Sequence, residues 1–305
     1  MQVTWKGVYP AVTTKFSNDG SLDLENFAKN IEAQIEAGVH AIVLGGTLGE
    51  ASTLNKEEKQ SLVKEALKVS NGRVPIILNV AESSTADAVQ FVKETEALGA
   101  DGLMALPPMR YTADARETVE YFKQIATNTS LPIMIYNNPV DYKIEVTLDM
   151  FEELAQYENI QAVKESTRDI SNLTRMKNRF GDRFQILSGV DTLALESLLM
   201  GADGWVAGLV CAFPKETVVI YELVQQGRIE EAREIYRWFL PLLELDINSK
   251  LVQNIKLAEV ATGLGTENVR EPRLPLIGKE REEVLKIIND ALACRPVLPE
   301  VKELV

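Results

Sequence analysis

The segment Pro75-Ile76-Ile77-Leu78-Asn79-Val80-Ala81 is a short apolar run, and Thr85-Ala86-Asp87-Ala88-Val89 follows it closely. An uninterrupted run rich in isoleucine and valine is typical of a β-strand that is covered on both faces. A threonine ahead of spaced alanine and valine residues is a helix start signal, because its side-chain oxygen can cap the first turn. The two pieces together predict one strand–helix unit.

The same unit recurs along most of the chain. The apolar runs are Gly7–Phe16, Ala41–Thr47, Pro75–Ala81, Gly102–Leu106, Pro132–Tyr136, Gln161–Val163, Phe184–Leu187 and Trp205–Leu209. Eight strand–helix units predict a (β/α)8 TIM barrel, which needs about 250 residues. A doubly wound α/β sheet is the competing arrangement, but its first strand usually leads into a glycine-rich phosphate loop. Here the first run continues into Thr13-Thr14-Lys15-Phe16-Ser17, which has no glycine.

The repeat ends near residue 227, and helical patterns alone follow it. They cover roughly Glu230–Asp246, Leu251–Leu264 and Glu280–Cys294. We therefore predict a barrel over residues 1–227 and a C-terminal three-helix extension over residues 228–305. No linker rich in proline, glycine or serine separates the two parts, so we expect the extension to pack on the barrel as one structural unit.

Composition restricts the classes of function. The chain has 305 residues and a net charge of −13, which argues against nucleic acid as a partner because phosphate binding needs a basic surface. No run approaches the roughly 18 apolar residues of a membrane span, and the N-terminus does not resemble a secretory signal. One histidine and two cysteines make a zinc site or a histidine-based triad improbable. We expect a cytoplasmic protein with a small-molecule substrate.

Lys164 is the residue that points most directly to chemistry. It follows the apolar residues Ala162 and Val163 at the end of a predicted buried strand. Burial disfavours the ammonium form, so the pKa of this lysine should fall below its ordinary value of about 10.4. A partly neutral lysine can attack a carbonyl group and form a Schiff base. A lysine that extends to water from a strand end is the plainer alternative.

Polar residues stand at matching positions on other strands, and the C-terminal ends of barrel strands are where active sites form. Strand two ends in Gly45-Gly46-Thr47-Leu48-Gly49-Glu50, and strand five ends at Tyr136. Glycines let backbone N–H groups approach a carboxylate closely, and a phenol can relay protons. These parts suit a 2-keto acid. Each also has a structural alternative: a tight turn, a packed tyrosine, and a helix-capping role for Glu50.

Three motifs in order carry a resemblance to a known family. Gly46-Thr47-Leu48-Gly49-Glu50, Tyr136-Asn137-Asn138-Pro139 and Val163-Lys164-Glu165 resemble those of the dihydrodipicolinate synthase / N-acetylneuraminate lyase family. The resemblance implies a class I aldolase with a (β/α)8 barrel, assembled as a homotetramer and using no metal or organic cofactor. It implies that Lys164 is the Schiff-base lysine, that Tyr136 relays protons, and that the Thr47-Leu48 turn holds the keto-acid carboxylate.

The departures from the synthase pattern concern the second substrate. Asp141 stands where synthases carry an arginine that helps to hold that substrate's carboxylate, and Leu48 replaces a second hydroxyl residue. The synthases' second tyrosine aligns near Arg110, with Tyr111 one position further on. Beside the catalytic candidates Lys164, Tyr136 and Thr47, the candidate substrate-binding residues are Thr47, Leu48, Tyr111, Asp141, Gly189 and Val206.

The flanking sequence more closely resembles pyrroline-4-hydroxy-2-carboxylate deaminases of hydroxyproline catabolism, for example over Trp5–Thr14 and Ile235–Phe239. That resemblance implies a deaminase whose substrate is the cyclic imino acid 1-pyrroline-4-hydroxy-2-carboxylate. The alternatives are a dihydrodipicolinate synthase-like enzyme and a dehydratase or aldolase acting on a deoxy-keto sugar acid. A barrel that binds a keto acid as a sensor without turnover is the alternative outside enzymes.

Overall fold

Eight parallel strands form a nearly closed barrel, as the sequence predicts. The computed structural model describes residues 1–108 and 111–301. The strands are β1 (Gly7–Pro10), β2 (Ile42–Leu44), β3 (Ile76–Val80), β4 (Gly102–Ala105), β5 (Ile133–Asn137), β6 (Ile160–Glu165), β7 (Gln185–Ser188) and β8 (Gly204–Ala207). They pair in the order β1-β8-β7-β6-β5-β4-β3-β2. A parallel bridge between Ala11 and Val43 brings the ends of β1 and β2 together, and the (β/α)8 prediction is confirmed.

Helices follow the strands, and most of them cover the outside of the barrel. They are α1 (Leu24–Glu36), α2 (Lys56–Ser70), α3 (Thr85–Leu98), α4 (Ala115–Ala126), α5 (Pro139–Tyr142), α6 (Leu148–Leu154), α7 (Ile170–Phe180), α8 (Ala194–Leu199), α9 (Pro214–Gln225), α10 (Ile229–Leu243), α11 (Leu251–Thr262) and α12 (Gly278–Ala293). A capping box formed by Asn55 and Glu58 starts α2. Helix α3 is capped by Ser84, one residue before the predicted Thr85. Both residues have a hydroxyl group, but Ser84 has the extended backbone conformation of a cap, whereas Thr85 is already helical.

The barrel interior explains why Lys164 points inward. Successive side chains of a strand alternate between its two faces. Ala162 belongs to the apolar cluster inside the barrel, together with Met134, Leu187 and Val206 on other strands. Lys164 lies two residues after Ala162 and therefore on the same face. The sixth strand thus delivers an amine to the axis of the barrel at its C-terminal end.

Helices α10 and α11 contact the barrel through buried polar groups, and α12 packs against these two helices. Tyr236 of α10 donates its hydroxyl to the backbone oxygen of Asp191 at 2.8 Å. The Lys256 ammonium of α11 pairs with the carboxylate of Glu50, and both side chains are fully buried. Lys15 and Glu259 form a second buried pair. These contacts join α10 and α11 to the barrel, and the division of the chain into a barrel and a C-terminal extension that form one structural unit stays a prediction.

Candidate active site

Lys164 reaches into a cavity at the C-terminal mouth of the barrel. The cavity encloses about 730 Å³, part of it open to solvent, and the lysine is only 7% exposed. Burial lowers the pKa of the Lys164 amine from its ordinary value of 10.5, against the charges of nearby acidic groups and Tyr142, which raise it. Desolvation of the ammonium outweighs those charges, so the amine is more nucleophilic than an ordinary lysine. Lys164 therefore lies where the sequence predicts a reactive amine, buried at the C-terminal mouth of the barrel.

Tyr136 lies beside Lys164 on the neighbouring strand. The two residues are register partners of β5 and β6, and the Lys164 Nζ atom is 4.1 Å from the centroid of the Tyr136 ring. The Tyr136 hydroxyl accepts a hydrogen bond from Asn138 Nδ2 at 3.1 Å. Burial raises the pKa of Tyr136 to about 12, so its phenol keeps its proton at neutral pH. A protonated phenol next to the amine can act as a general acid.

The glycine turn after β2 offers unused backbone donors. Gly45 has a positive φ of 66°, and its carbonyl oxygen accepts a hydrogen bond from Asn79 Nδ2 at 3.0 Å. The N–H groups of Thr47 and Leu48 donate to no other described residue. Both residues line the cavity. Free N–H groups that face a cavity suit an anionic group such as a carboxylate, as the sequence predicts.

Gly189 allows Lys164 to take its position. A Cβ atom added at Gly189 would lie 2.1 Å from Ser166 Oγ and 2.6 Å from Lys164 Cγ. Carbon atoms in contact are ordinarily about 3.5–4.0 Å apart. Only glycine therefore fits here, and its role is to make room for the reactive side chain.

Three carboxyl groups surround the amine. Asp141 and Asp246 line the cavity, and the buried Asp191 accepts a hydrogen bond from Trp205 Nε1 at 2.9 Å. A Cβ atom at Gly208 would lie 2.2 Å from Asp246 Oδ1, which shows how closely that carboxyl crosses the end of β8. Burial, and then the charge of Asp191, raise the pKa of Asp246 well above its ordinary value of 3.8. An acidic group in this state can donate a proton at pH values where an exposed aspartate cannot.

The structure brings together most of the predicted site residues. The cavity is lined by the predicted residues Thr47, Leu48, Tyr136, Asp141, Lys164, Gly189 and Val206. Tyr111 does not line it and is 57% exposed on the surface of the single chain. Arg110 lies outside the described residues.

Some cavity residues were missed by sequence reasoning. Tyr142, Arg168 and Asp246 line the cavity but lie beyond the strand ends. Tyr142 had a local signal, since Asn138-Pro139 is a helix start that fixes where the following turn goes. Asp246 had no such local signal, because it follows α10 and not one of the barrel strands.

Glu50 corrects a prediction. The sequence favours it as a helix cap, but its side chain makes no capping hydrogen bond. Its carboxylate pairs with Lys256 and accepts from the backbone N–H of Arg270 at 3.1 Å. The physical reason is burial: a carboxylate without exposure needs a cation, and the nearest one belongs to α11.

Within residues 1–108 and 111–301, no cluster of three or more histidine, cysteine, aspartate or glutamate side chains is arranged to hold a metal ion. Over the same ranges, none of the helices combines the length and the apolar character that crossing a membrane requires.

The chain is similar to known proteins over nearly its whole length. The family described as "Dihydrodipicolinate synthetase family" matches residues 4–291. The 4-hydroxy-tetrahydrodipicolinate synthase of Exiguobacterium sibiricum is 33% identical, over 90% of this chain and 92% of that protein. The enzyme of the same name from Archaeoglobus fulgidus is 32% identical, over 93% and 96% respectively. Among solved structures, a chloride-inhibited dihydrodipicolinate synthase from Acinetobacter baumannii in complex with pyruvate matches with a TM-score of 0.90 and 29% identity, over 94% of this chain and 99% of that one.

Proposed function

The chain belongs to the dihydrodipicolinate synthetase family, whose members are class I aldolase-type lyases, and on that premise we propose that it forms an imine between Lys164 and a 2-oxo acid of the pyruvate type. One observation carries the proposal. The buried Lys164 amine has a lowered pKa, and it lies 4.1 Å from the ring of a tyrosine that keeps its proton. The covalent imine makes an organic cofactor or a metal unnecessary for this chemistry.

The chemical steps follow from the positions of the groups. The neutral Lys164 amine adds to the carbonyl carbon, and a proton moves from its nitrogen to the carbonyl oxygen to give a carbinolamine. The carbinolamine hydroxyl then leaves as water after receiving a proton from the Tyr136 phenol, while the nitrogen loses its proton. The free N–H groups of Thr47 and Leu48 hold the carboxylate of the 2-oxo acid and orient its carbonyl group toward Lys164.

Trapping tests the imine directly. Reduction with borohydride in the presence of pyruvate should add the mass of the reduced pyruvate adduct to the peptide that contains Lys164. Lys164→Ala should remove the label, whereas the peptide that contains Lys256, another buried lysine with a lowered pKa, about 8, should stay unlabelled in the wild type. Labelling of another peptide, or labelling that persists in Lys164→Ala, would refute the proposal.

For the second half of the reaction we propose a synthase-like condensation with a short aldehyde. The relatives named above are synthases, which supports this alternative over the deaminase that the flanking sequence favours. Asp141 takes the place of the synthases' arginine, but Arg168 lines the same cavity from the loop after β6. Arg168 makes no ion pair with the described residues, and its φ of 64° is strained for a residue other than glycine. A free guanidinium at the mouth can bind the carboxylate of a second substrate.

A second candidate function rests on the carboxyl groups that line the cavity. Asp141 and Asp246 both line the cavity, which favours a substrate that presents hydroxyl groups or a ring nitrogen in place of a second carboxylate. The deaminase acting on 1-pyrroline-4-hydroxy-2-carboxylate and the dehydratase or aldolase acting on a deoxy-keto sugar acid are of this kind.

Two assays on one preparation separate these reactions. Condensation of pyruvate with aspartate semialdehyde, lost in Arg168→Ala through a raised KM, would support the synthase-like reaction. Ammonia release from the cyclic imino acid without condensation would support the deaminase. If neither assay shows activity while pyruvate is still trapped at Lys164, the result would support the dehydratase or aldolase acting on a deoxy-keto sugar acid.

The oligomeric state belongs to the same proposal. We propose the homotetramer that the family resemblance implies, in the cytoplasm. Exposed apolar side chains such as Leu199, Met200 and Ile277 offer surface that association would cover.

A further inference from the structure

Tyr142 is placed in the cavity by a single turn of helix. Asn138 caps α5, accepting from the N–H of Asp141 at 3.1 Å, and Pro139 occupies the first helical position. The N–H of Tyr142 then donates to the backbone oxygen of Asn138 at 3.0 Å. This turn folds the chain back over the mouth of the barrel, so that the Tyr142 ring faces the cavity six residues after Tyr136.

The Tyr142 hydroxyl is hydrogen-bonded to a predicted catalytic residue. Its oxygen lies 2.6 Å from Thr47 Oγ1, and either group can be the donor. The ring also packs edge-on against Tyr136, with centroids 5.5 Å apart and an interplanar angle of 84°. Burial lowers the pKa of the Lys164 amine, and Tyr142 is among the nearby groups that act against this shift. Lys164, Tyr136, Tyr142 and Thr47 therefore form one cluster around the space where a 2-oxo acid would react.

The two tyrosines differ in their access to water. Tyr136 is 9% exposed and lies below the mouth, whereas Tyr142 is half-buried and reaches the rim. Tyr111, the second tyrosine expected from sequence, is on the surface and outside the cavity. Among the tyrosines in the described part of the chain, Tyr136 and Tyr142 are the two that line the cavity.

We propose that Tyr142, acting with Thr47, supplies the second phenol of the proton relay from within the same chain. This inference rests on the proposed imine chemistry at Lys164. In the dehydration of the carbinolamine, Tyr136 gives its proton to the leaving hydroxyl, and the C–O bond breaks to release water. The Thr47–Tyr142 pair then carries a proton from solvent at the mouth to the Tyr136 phenolate, and the proton lost by the nitrogen passes to solvent, so that the relay returns to its starting state. In the reverse direction the same groups take up the proton.

Deuterium exchange tests the relay without a second substrate. Imine formation followed by loss of a C3 proton exchanges the methyl hydrogens of pyruvate with D2O, and NMR follows the rate. Tyr142→Phe keeps the ring and its packing but removes the hydroxyl. We expect its maximal exchange rate to fall about 10²-fold or more, the range of general acid–base help, with little change in the KM for pyruvate. The pH profile should also change, which loss of packing alone would not produce.

Three further variants complete the test. Tyr157→Phe removes a tyrosine hydroxyl that lies outside the cavity and should exchange as the wild type does. Thr47→Val combined with Tyr142→Phe should lose little more than either change alone, because groups that act as one unit are not additive. Tyr111→Phe should retain exchange.

The outcomes separate the two proposals. Wild-type protein without exchange or trapping would refute the imine chemistry itself. Exchange that is intact in Tyr142→Phe, or lost in Tyr111→Phe alone, would overturn the role of Tyr142 and leave the imine chemistry standing. A Tyr142→Phe protein that still traps pyruvate at Lys164 but exchanges slowly would support the relay.

Discussion

Replacing Gly189 with alanine should slow imine formation at Lys164 although Lys164 itself is not substituted. The new Cβ atom would lie 2.6 Å from Lys164 Cγ, 2.8 Å from Lys164 Cε and 2.1 Å from Ser166 Oγ. An ordinary carbon–carbon contact is about 3.5–4.0 Å, so the lysine side chain has to retreat by about 1 Å. A displacement of about 1 Å at a reacting group can cost about 10²-fold in rate. Overpacking of this kind costs about 1–3 kcal/mol of stability, so the variant should still fold.

The assay is the rate of borohydride trapping with saturating pyruvate, with thermal unfolding measured in parallel. Gly46→Ala is the matched control, because it also adds a methyl group at the cavity but its nearest neighbour, Met104 Cε, is 3.9 Å away. It should lose far less trapping rate than Gly189→Ala. If Gly189→Ala traps pyruvate at the wild-type rate, the argument that this glycine makes room for Lys164 is wrong.

Three other predictions concern the titration of Lys164, the buried Glu50–Lys256 pair and the oligomeric state. The trapping rate should rise with pH, with a midpoint below 10.5, because the neutral amine reacts and burial lowers the Lys164 pKa. Asp246→Asn removes a group that raises this pKa, so it should move the midpoint of the pH profile lower still. Glu50→Gln should destabilise the protein by about 3–5 kcal/mol in urea unfolding, since it leaves the Lys256 ammonium buried and unpaired, and a change well below that would contradict a structural role for the pair. Light scattering at micromolar concentration should report about four chains, and a monomer would refute the proposed assembly.

Several features of this protein were determined by its sequence alone. The alternation of apolar runs with amphipathic stretches predicts the eight strands and the helices between them, because strand and helix periodicity are local properties. The end of each apolar run marks the C-terminal mouth of the barrel. Strand-end position alone therefore predicts that one cavity is lined by Thr47, Tyr136, Lys164 and Gly189, as it is in the structure. The three C-terminal helices, too, begin and end within three residues of the predicted bounds.

Other features were decided only by the tertiary structure. Tyr142 meets Thr47 across 95 positions of the chain, and Asp246 crosses Gly208 from a segment that no strand-end rule includes. Glu50 is a partner of Lys256, which is 206 positions away, and its burial overrides the local preference for a helix cap. Tyr111 has the residue type expected of a relay but lies on the surface of the single chain. Local patterns fix which face a side chain takes, whereas the partner that it meets there depends on how distant segments pack, and that packing is set by the whole fold.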